Sequence, residues 1–250
     1  VNLADVRQAI AAVELTEFQC LRDLNLYKTP ACDSLVTQAA AGRSLRFVHL
    51  PDGEPTAVGV CLCDDDYPGW LAIADLSSLV PDPQPYRPVT VDAATIQQRL
   101  PEAIAFTKAA MAQPNHYLWG GTVAPDYDCS GLIQAAFRTI GVILPRDAYQ
   151  QESFVAPVAL VNLQPGDLIF FGTEGKTTHV ALALGANQYI HSSGQAHGRN
   201  GIGLDSLTEL KDPVSAHYQA QLRGAGRVTQ AYRSQGIPWP DRNGHPVFPD

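Results

Sequence analysis

Cys129 sits between Asp128 and Ser130-Gly131, and behind it Leu132, Ile133, Ala136, Phe137 and Ile140 repeat at the helical period until Gly141 offers a C-cap. The spacing predicts a helix with Cys129 in its first turn. Unsatisfied N–H groups and the positive end of the helix dipole there favour thiolate, so a depressed thiol pKa is expected. Asp128 would oppose that shift if it pointed at the sulfur, and its carboxylate is therefore expected to point elsewhere. A thiol nucleophile also needs a base within hydrogen-bond reach and an orienting group behind that base. Seven histidines compete for these roles. His179 opens the apolar run to Leu184, on a face shared with Ala181 and Ala183, whose small side chains would let the Cys129 helix pack closely. His191 lies in Tyr189-Ile190-His191-Ser192, and a hairpin turning at Gly185 to Asn187 brings it into a row beside His179, where it can fix the tautomer of the first imidazole. The alternative is a strand-edge His179 satisfied by solvent or backbone and a His191 that merely packs. His49, His116, His197, His217 and His245 fall in polar or loop-like settings and read as surface residues. Zinc held by Cys129, His179 and His191 is chemically legal, but the helix start suits a nucleophile better, so no metal and no cofactor is expected.

The elements that would position these residues come in two textures. From Asp92 to Gln113 the chain is Ala-rich, with Ile96, Leu100, Ile104 and Met111 at helical spacing, and Pro114 ends it. Strands are expected over 167–171, 179–184 and 188–192, with a weaker one over 224–228. Helices followed by an antiparallel sheet make an α+β domain. Upstream, short β-type runs cover 20–26, 44–50, 56–63 and 69–74, separated by Thr29-Pro30, Pro51-Asp52-Gly53 and Pro68-Gly69, which suggests a small β-barrel. The run from Pro81 to Pro88 lacks too many N–H donors for helix or central strand and reads as a linker. The expected divisions are a barrel over 1–85, a linker over 86–94, the α+β domain over 95–235 and an irregular tail over 236–250. The acidic run Asp64-Asp65-Asp66 reads as a solvated turn.

Composition narrows the classes of function. A chain of 250 residues that is 45% hydrophobic can bury a core, and 17 Lys+Arg against 25 Asp+Glu, with no basic run, argue against nucleic acid as a partner. No apolar stretch approaches the roughly 18 residues of a membrane span, since even Phe154 to Leu163 is broken by Pro157 and Asn162, and no membrane is expected. Asp5, Arg7 and Glu14 interrupt the place where a signal peptide would carry its apolar core, although without an initiator Met a processed N-terminus stays open. Five cysteines leave at least one unpaired. Cys20, Cys32, Cys61 and Cys63 could make two bridges, but free thiols packed as small hydrophobes are expected, with disulfides as the alternative; Cys61-Leu62-Cys63 lacks zinc-knuckle spacing. A cytoplasmic location is favoured, with a periplasmic or secreted one as the alternative. Oligomeric state is not legible.

Five ordered blocks carry a resemblance: Tyr117-Leu118-Trp119-Gly120-Gly121, Asp126 to Leu132, Gln164 to Phe171, His179-Val180-Ala181 and Tyr189-Ile190-His191-Ser192. Together, over residues 95 to 230, they resemble the NlpC-type papain-like cysteine peptidases of bacterial cell-wall peptides. The resemblance implies that Cys129 is the nucleophile, His179 the general base and acid, His191 the orienting residue, and that Tyr117 lies beside the nucleophile. The Cys129 N–H would then help hold the oxyanion, an arrangement worth roughly 2.7–4 kcal/mol per donor. Leu24-Asn25-Leu26-Tyr27 with Pro30, and Asp65 to Leu71, are similar to a bacterial SH3-type domain. That pairing of domains resembles the γ-D-glutamyl-L-diamino acid endopeptidases. It implies as substrate a murein stem peptide, cut between D-Glu and diaminopimelate or L-Lys, with a free N-terminal L-Ala. A free amine needs an anionic, hydrogen-bonding pocket, for which Asp128 and Ser130 are the first candidates, and Tyr67 and Asp75 further ones. Arg146 either pairs with a substrate carboxylate or makes a structural ion pair. Two other functions remain: a secreted hydrolase of intact wall anchored by the SH3-type domain, and a non-catalytic wall-binding protein.

Overall fold

Asn2 starts the first helix. Its side chain accepts the Ala4 and Asp5 N–H groups while the Asp5 carboxylate accepts the Asn2 N–H, a reciprocal box that opens α1 (Leu3–Ala11). This helix was not foreseen. The computed structural model describes residues 1–12, 16–241 and 243–248, without the side chain of His197, so the surface role expected for that histidine lies outside it. Seven strands follow: β1 (Phe18–Cys20), β2 (Leu24–Tyr27), β3 (Leu35–Ala39), β4 (Ser44–His49), β5 (Ala57–Leu62), β6 (Pro68–Ala72) and β7 (Leu79–Pro81). They form one antiparallel sheet in the order β3-β2-β6-β5-β4-β1-β7. The single strand expected over 20–26 is two strands. Between them the Leu21 N–H donates to Ser78 O, and Arg22 reaches Asp75 and Ser78, which turns the chain out of the ladder. Leu24, Leu26, Leu45, Phe47, Val58, Val60, Leu62 and Leu71 build the core, which Val6 of α1 joins. At Gly69 a Cβ would stand 2.8 Å from the Leu26 Cβ, so the β2–β6 crossing excludes a side chain there.

The acidic run departs most from expectation. Asp64, Asp65 and Asp66 are buried rather than solvated. Arg43 donates to Asp64 at 2.5 Å and to Asp65 at 2.9 Å, and Arg46 donates to Asp66 at 3.1 Å. Three buried carboxylates are tolerable only with such counter-charges, which here come from β4 and the turn before it. Asp66 takes more: Ser234 Oγ and the Gln235 N–H each donate to it at 2.6 Å, and Trp239 Nε1 donates to Asp65 O at 2.8 Å. Phe248 stacks on His49 and meets Trp70 edge-on. The tail thus has no strand or helix among its described residues, yet it belongs to the first unit, which comprises residues 1–88 and the segment from Arg233 onward. Cys20, Cys61 and Cys63 are buried free thiols and Cys32 a partly buried one. Burial pushes the Cys20 thiol up to about 11 and the Cys61 thiol up to about 12.

The second unit spans Val89–Tyr232. Asp92 caps α2 (Ala93–Met111) through the Thr95 N–H, and Ile96, Leu100 and Ala103 are its buried stripe. A short hairpin, β8 (Thr122–Val123) and β9 (Asp126–Tyr127), leads into α3 (Cys129–Thr139), then α4 (Ala148–Phe154) and β10 (Ala156–Val158). The main sheet continues with β11 (Leu168–Thr173), β12 (Lys176–Gly185), β13 (Gln188–Ser193) and β14 (Gly201–Ser206), and after α5 (Pro213–Gln219) comes β15 (Leu222–Arg227). Its order is β10-β15-β11-β12-β13-β14. The β12–β13 turn uses Gly185, Ala186 and Asn187, all at positive φ, as the hairpin reading requires.

Alternation in the strands separates two cores. Leu168, Phe170, Val180, Leu182 and Ile190 face α2 and α3, where they meet Ile133, Ala136 and Phe137. Ile169, Phe171, Ala181, Ala183 and Tyr189 face the other way, onto Val214 and Tyr218 of α5. This corrects one expectation. The small residues that share the His179 face make room for α5, not for the Cys129 helix, which packs instead on the Val180 side.

Candidate active site

The site begins with a buried knot at the start of α3. Asp128 is the N-cap: Oδ1 accepts the Gly131 N–H at 2.7 Å and Oδ2 accepts the Gly120 N–H at 2.8 Å. Arg146 grips the same carboxylate with both terminal nitrogens, at 2.6 and 3.1 Å, and donates to Ser130 Oγ at 3.0 Å. The Arg146 side chain is only 1% exposed, so the ion-pair alternative is the one realised, and a grip on a substrate carboxylate is withdrawn for this residue. Gly131 is required by space, because a Cβ there would overlap the Gly121 carbonyl and stand 2.9 Å from Asp128 Oδ1. Gly131→Ala is therefore expected to cost about 1–3 kcal/mol, read as a lowered denaturant midpoint; an unchanged midpoint would contradict this packing.

Cys129 is the first residue of α3 and is 6% exposed. The backbone N–H groups of Val180 and Ser130 come near enough to its sulfur to favour the thiolate, which places it by the amide joining His179 to Val180. The expected depressed pKa is not found. Burial pushes the thiol up to about 12 and the Asp128 charge adds to the rise, while the Val180 and Ser130 N–H groups and Arg146 oppose it. The helix start favours the anion, but desolvation of a buried sulfur outweighs it. Asp128, though turned toward Arg146, is still felt by the thiol. A resting thiol makes the thiolate by giving its proton to a base, not by ionising freely.

His179, the residue before the Val180 amide, is the candidate for such a base. His179 Nε2 and His191 Nδ1 are 2.7 Å apart, leaving His179 Nδ1 for another partner. His191 is fully buried, and its Nε2 lies 2.8 Å from Asp205 Oδ2. Burial lowers the His191 pKa, against the raising effect of Asp205. The strand-edge alternative for His179 fails: it is 6% exposed and its ring stacks on Tyr218, with centroids 4.4 Å apart. Tyr117 lies where the thiol charge reaches it, and burial first, then Cys129, pushes its hydroxyl pKa upward. Its ring stands against Gly194, whose Cβ would approach to 3.6 Å.

The structure thus brings Cys129, His179, His191, Tyr117, Asp128 and Ser130 together in the second unit. Tyr67 and Asp75 lie in the first unit, Tyr67 half-buried before β6 and Asp75 paired with Arg22 at 2.6 Å. Asp205 and Tyr218 escaped the sequence reading. Gly-Ile-Gly-Leu-Asp-Ser offers little strand signal, and α5 is only seven residues long. No group of His, Cys, Asp and Glu able to hold a metal ion occurs among the described residues.

Residues 114–227 match the model of the NlpC/P60 family. The second unit is an NlpC/P60 domain. Residues 26–76 match the bacterial dipeptidyl-peptidase SH3 domain, so the fold is α+β, with an SH3-like domain followed by a papain-like NlpC/P60 domain. The Escherichia coli murein DD-endopeptidase MepS/murein LD-carboxypeptidase is 35% identical over 94 residues, 37% of this chain and 48% of that protein. Dipeptidyl-peptidase 6 of Lysinibacillus sphaericus is 40% identical over 94 residues, 37% of this chain and 32% of that protein. The bifunctional muramidase/DL-endopeptidase CwlT of Bacillus subtilis is 33% identical over 116 residues, 45% of this chain and 32% of that protein. The chain spans less than half the length of each of these relatives. All three are named as peptidases, the first of them as a murein peptidase.

Proposed function

We propose that this chain is a cysteine endopeptidase of murein stem peptides that hydrolyses the γ-D-glutamyl-L-diamino acid bond and takes peptides with a free N-terminal L-Ala. The observation that carries the reading is the alignment of Cys129 at a helix start with the His179–His191 pair, inside an NlpC/P60 domain preceded by an SH3-like one. The Cys129 thiol passes its proton to His179 Nδ1, and the sulfur attacks the scissile carbonyl. The Cys129 N–H helps hold the oxyanion. His179 returns the proton to the leaving amine, and water, deprotonated by the same ring, releases the thioester.

Asp128 and Ser130 are proposed to receive the L-Ala amine. Their support is a carboxylate pinned by two backbone N–H groups and Arg146 on the residue before the sulfur, so little reorganisation is needed when a cation arrives. Tyr67 and Asp75 remain proposals from resemblance. A role in recycling within the cytoplasm is likewise proposed, supported by the buried thiols of the SH3-like domain, which suit a reducing compartment.

Incubation with L-Ala-γ-D-Glu-diaminopimelate and, separately, with intact sacculi, followed by mass spectrometry, tests the reading. Release of free diaminopimelate from the tripeptide is expected. Cleavage of sacculi with the tripeptide left intact would favour instead a hydrolase of whole wall.

A further inference from the structure

Asp205 lies on β14 opposite Tyr189, on the strand whose Gly203 faces His191. Every acceptor direction of its carboxylate is occupied. Oδ2 receives His191 Nε2 at 2.8 Å and Arg199 Nε at 3.0 Å; Oδ1 receives an Arg199 terminal nitrogen at 2.6 Å and Ser215 Oγ at 2.8 Å. Ser215 Oγ, which also accepts the Ser206 N–H at 3.1 Å, gives its proton to Asp205. Arg199 is held in turn by Asp212, the N-cap of α5, at 2.9 Å. Two phenols also feel the Asp205 charge, Tyr189 and Tyr218, and burial first of all keeps both protonated. Burial of Asp205 would raise its pKa, but the hydrogen bonds from His191, Arg199 and Ser215 outweigh this and hold the carboxyl well below its usual range.

A group that can only accept, set against His191 Nε2, requires the proton to be on that nitrogen. His191 Nδ1 then carries a lone pair and accepts from His179 Nε2–H, which leaves the lone pair of His179 on Nδ1. Without an acceptor at Asp205 the order can reverse along the whole row and put a proton on the nitrogen that must act as base. We propose that Asp205 is a positioning residue that sets, through His191, the tautomer in which His179 accepts the Cys129 proton. The inference rests on the hydrolase reading above. When the S–H proton moves to His179 Nδ1, the ring becomes an imidazolium still bonded through Nε2–H to His191, and Asp205 remains an unprotonated carboxylate that stabilises that charge from behind.

Histidine 15N chemical shifts and one variant test this. In the wild-type protein at neutral pH, His191 is expected as the Nε2–H tautomer and His179 likewise; an Nδ1–H His191 overturns the proposal. Asp205→Asn keeps the shape but places an amide NH2 against one of the donor pairs, so kcat on the tripeptide is expected to fall about 100-fold or more with KM within about threefold. Losing the negative charge makes the imidazolium release its proton more readily, so the acid limb of kcat/KM should move to lower pH. A fall in kcat below tenfold, or a larger one with the acid limb unmoved, would mark a merely structural role and overturn the proposal. Should Asp205→Asn fail to fold, the wild-type spectrum decides alone. If the wild-type chain cleaves no wall peptide, the substrate reading fails while the tautomer measurement still decides the role of Asp205.

Discussion

Cys129→Ala or Cys129→Ser is expected to lower hydrolysis of the tripeptide by roughly 10⁴-fold or more, with stability changed by about 1 kcal/mol or less. The asymmetry follows from the sulfur's surroundings. The side chain is small, so truncating it removes a single heavy atom from the core, yet that atom is the sulfur by the amide joining His179 to Val180. Serine supplies the shape, but its hydroxyl is a far poorer proton donor than a thiol and its oxygen a poorer nucleophile at neutral pH. Product formation followed by chromatography and the denaturant midpoint together check the pair of effects. Residual turnover above about 1% in either variant would contradict the assignment of the nucleophile, as would a collapse of the fold.

Arg146→Met is expected to destabilise the NlpC/P60 domain by about 3–5 kcal/mol, because it strands the Asp128 carboxylate in a place that water barely reaches. Arg146 is 1% exposed and Asp128 9% by side chain, and the same guanidinium also satisfies Ser130 Oγ. Arg146→Lys should recover only part of the loss, since one ammonium cannot span both carboxylate oxygens as the planar fork does. Denaturant titration of the three proteins measures this. A Met variant within about 1 kcal/mol of wild type would mean that the ion pair adds nothing beyond the two backbone caps.

Much of the site was legible in the sequence because its residues sit on elements with strong local signatures. The apolar stripe behind Cys129 is a helix pattern closed by Gly141, which adopts φ 77°. The turn at Gly185 to Asn187 likewise ties His179 to His191 at a separation that a hairpin dictates. What could not be read depends on partners far along the chain. The charges that bury Asp64 to Asp66 lie on Arg43 and Arg46, about one strand earlier, and no local rule pairs them. Asp205 needs the β13–β14 register before its relation to His191 exists. The rise in the thiol pKa has the same origin. A helix start is a local feature, whereas the desolvation that overrides it comes with burial in a core whose other members lie far along the chain, Val180 and Ile190 among them.

The hydrogen bonds from Ser234, Gln235 and Trp239 to Asp65 and Asp66 have a consequence for biosynthesis. The chain lays down most of its first domain, then the whole of the second, and only afterwards the segment that neutralises the demands of Asp66. During vectorial synthesis the first unit is thus made before the NlpC/P60 domain yet acquires its full set of bonds after it, and the NlpC/P60 domain can complete its own core while its predecessor is still waiting. A nascent chain stalled before Arg233 would present Asp66 to water with Arg46 as its remaining partner among these contacts, and proteolysis should find the N-terminal domain open there first.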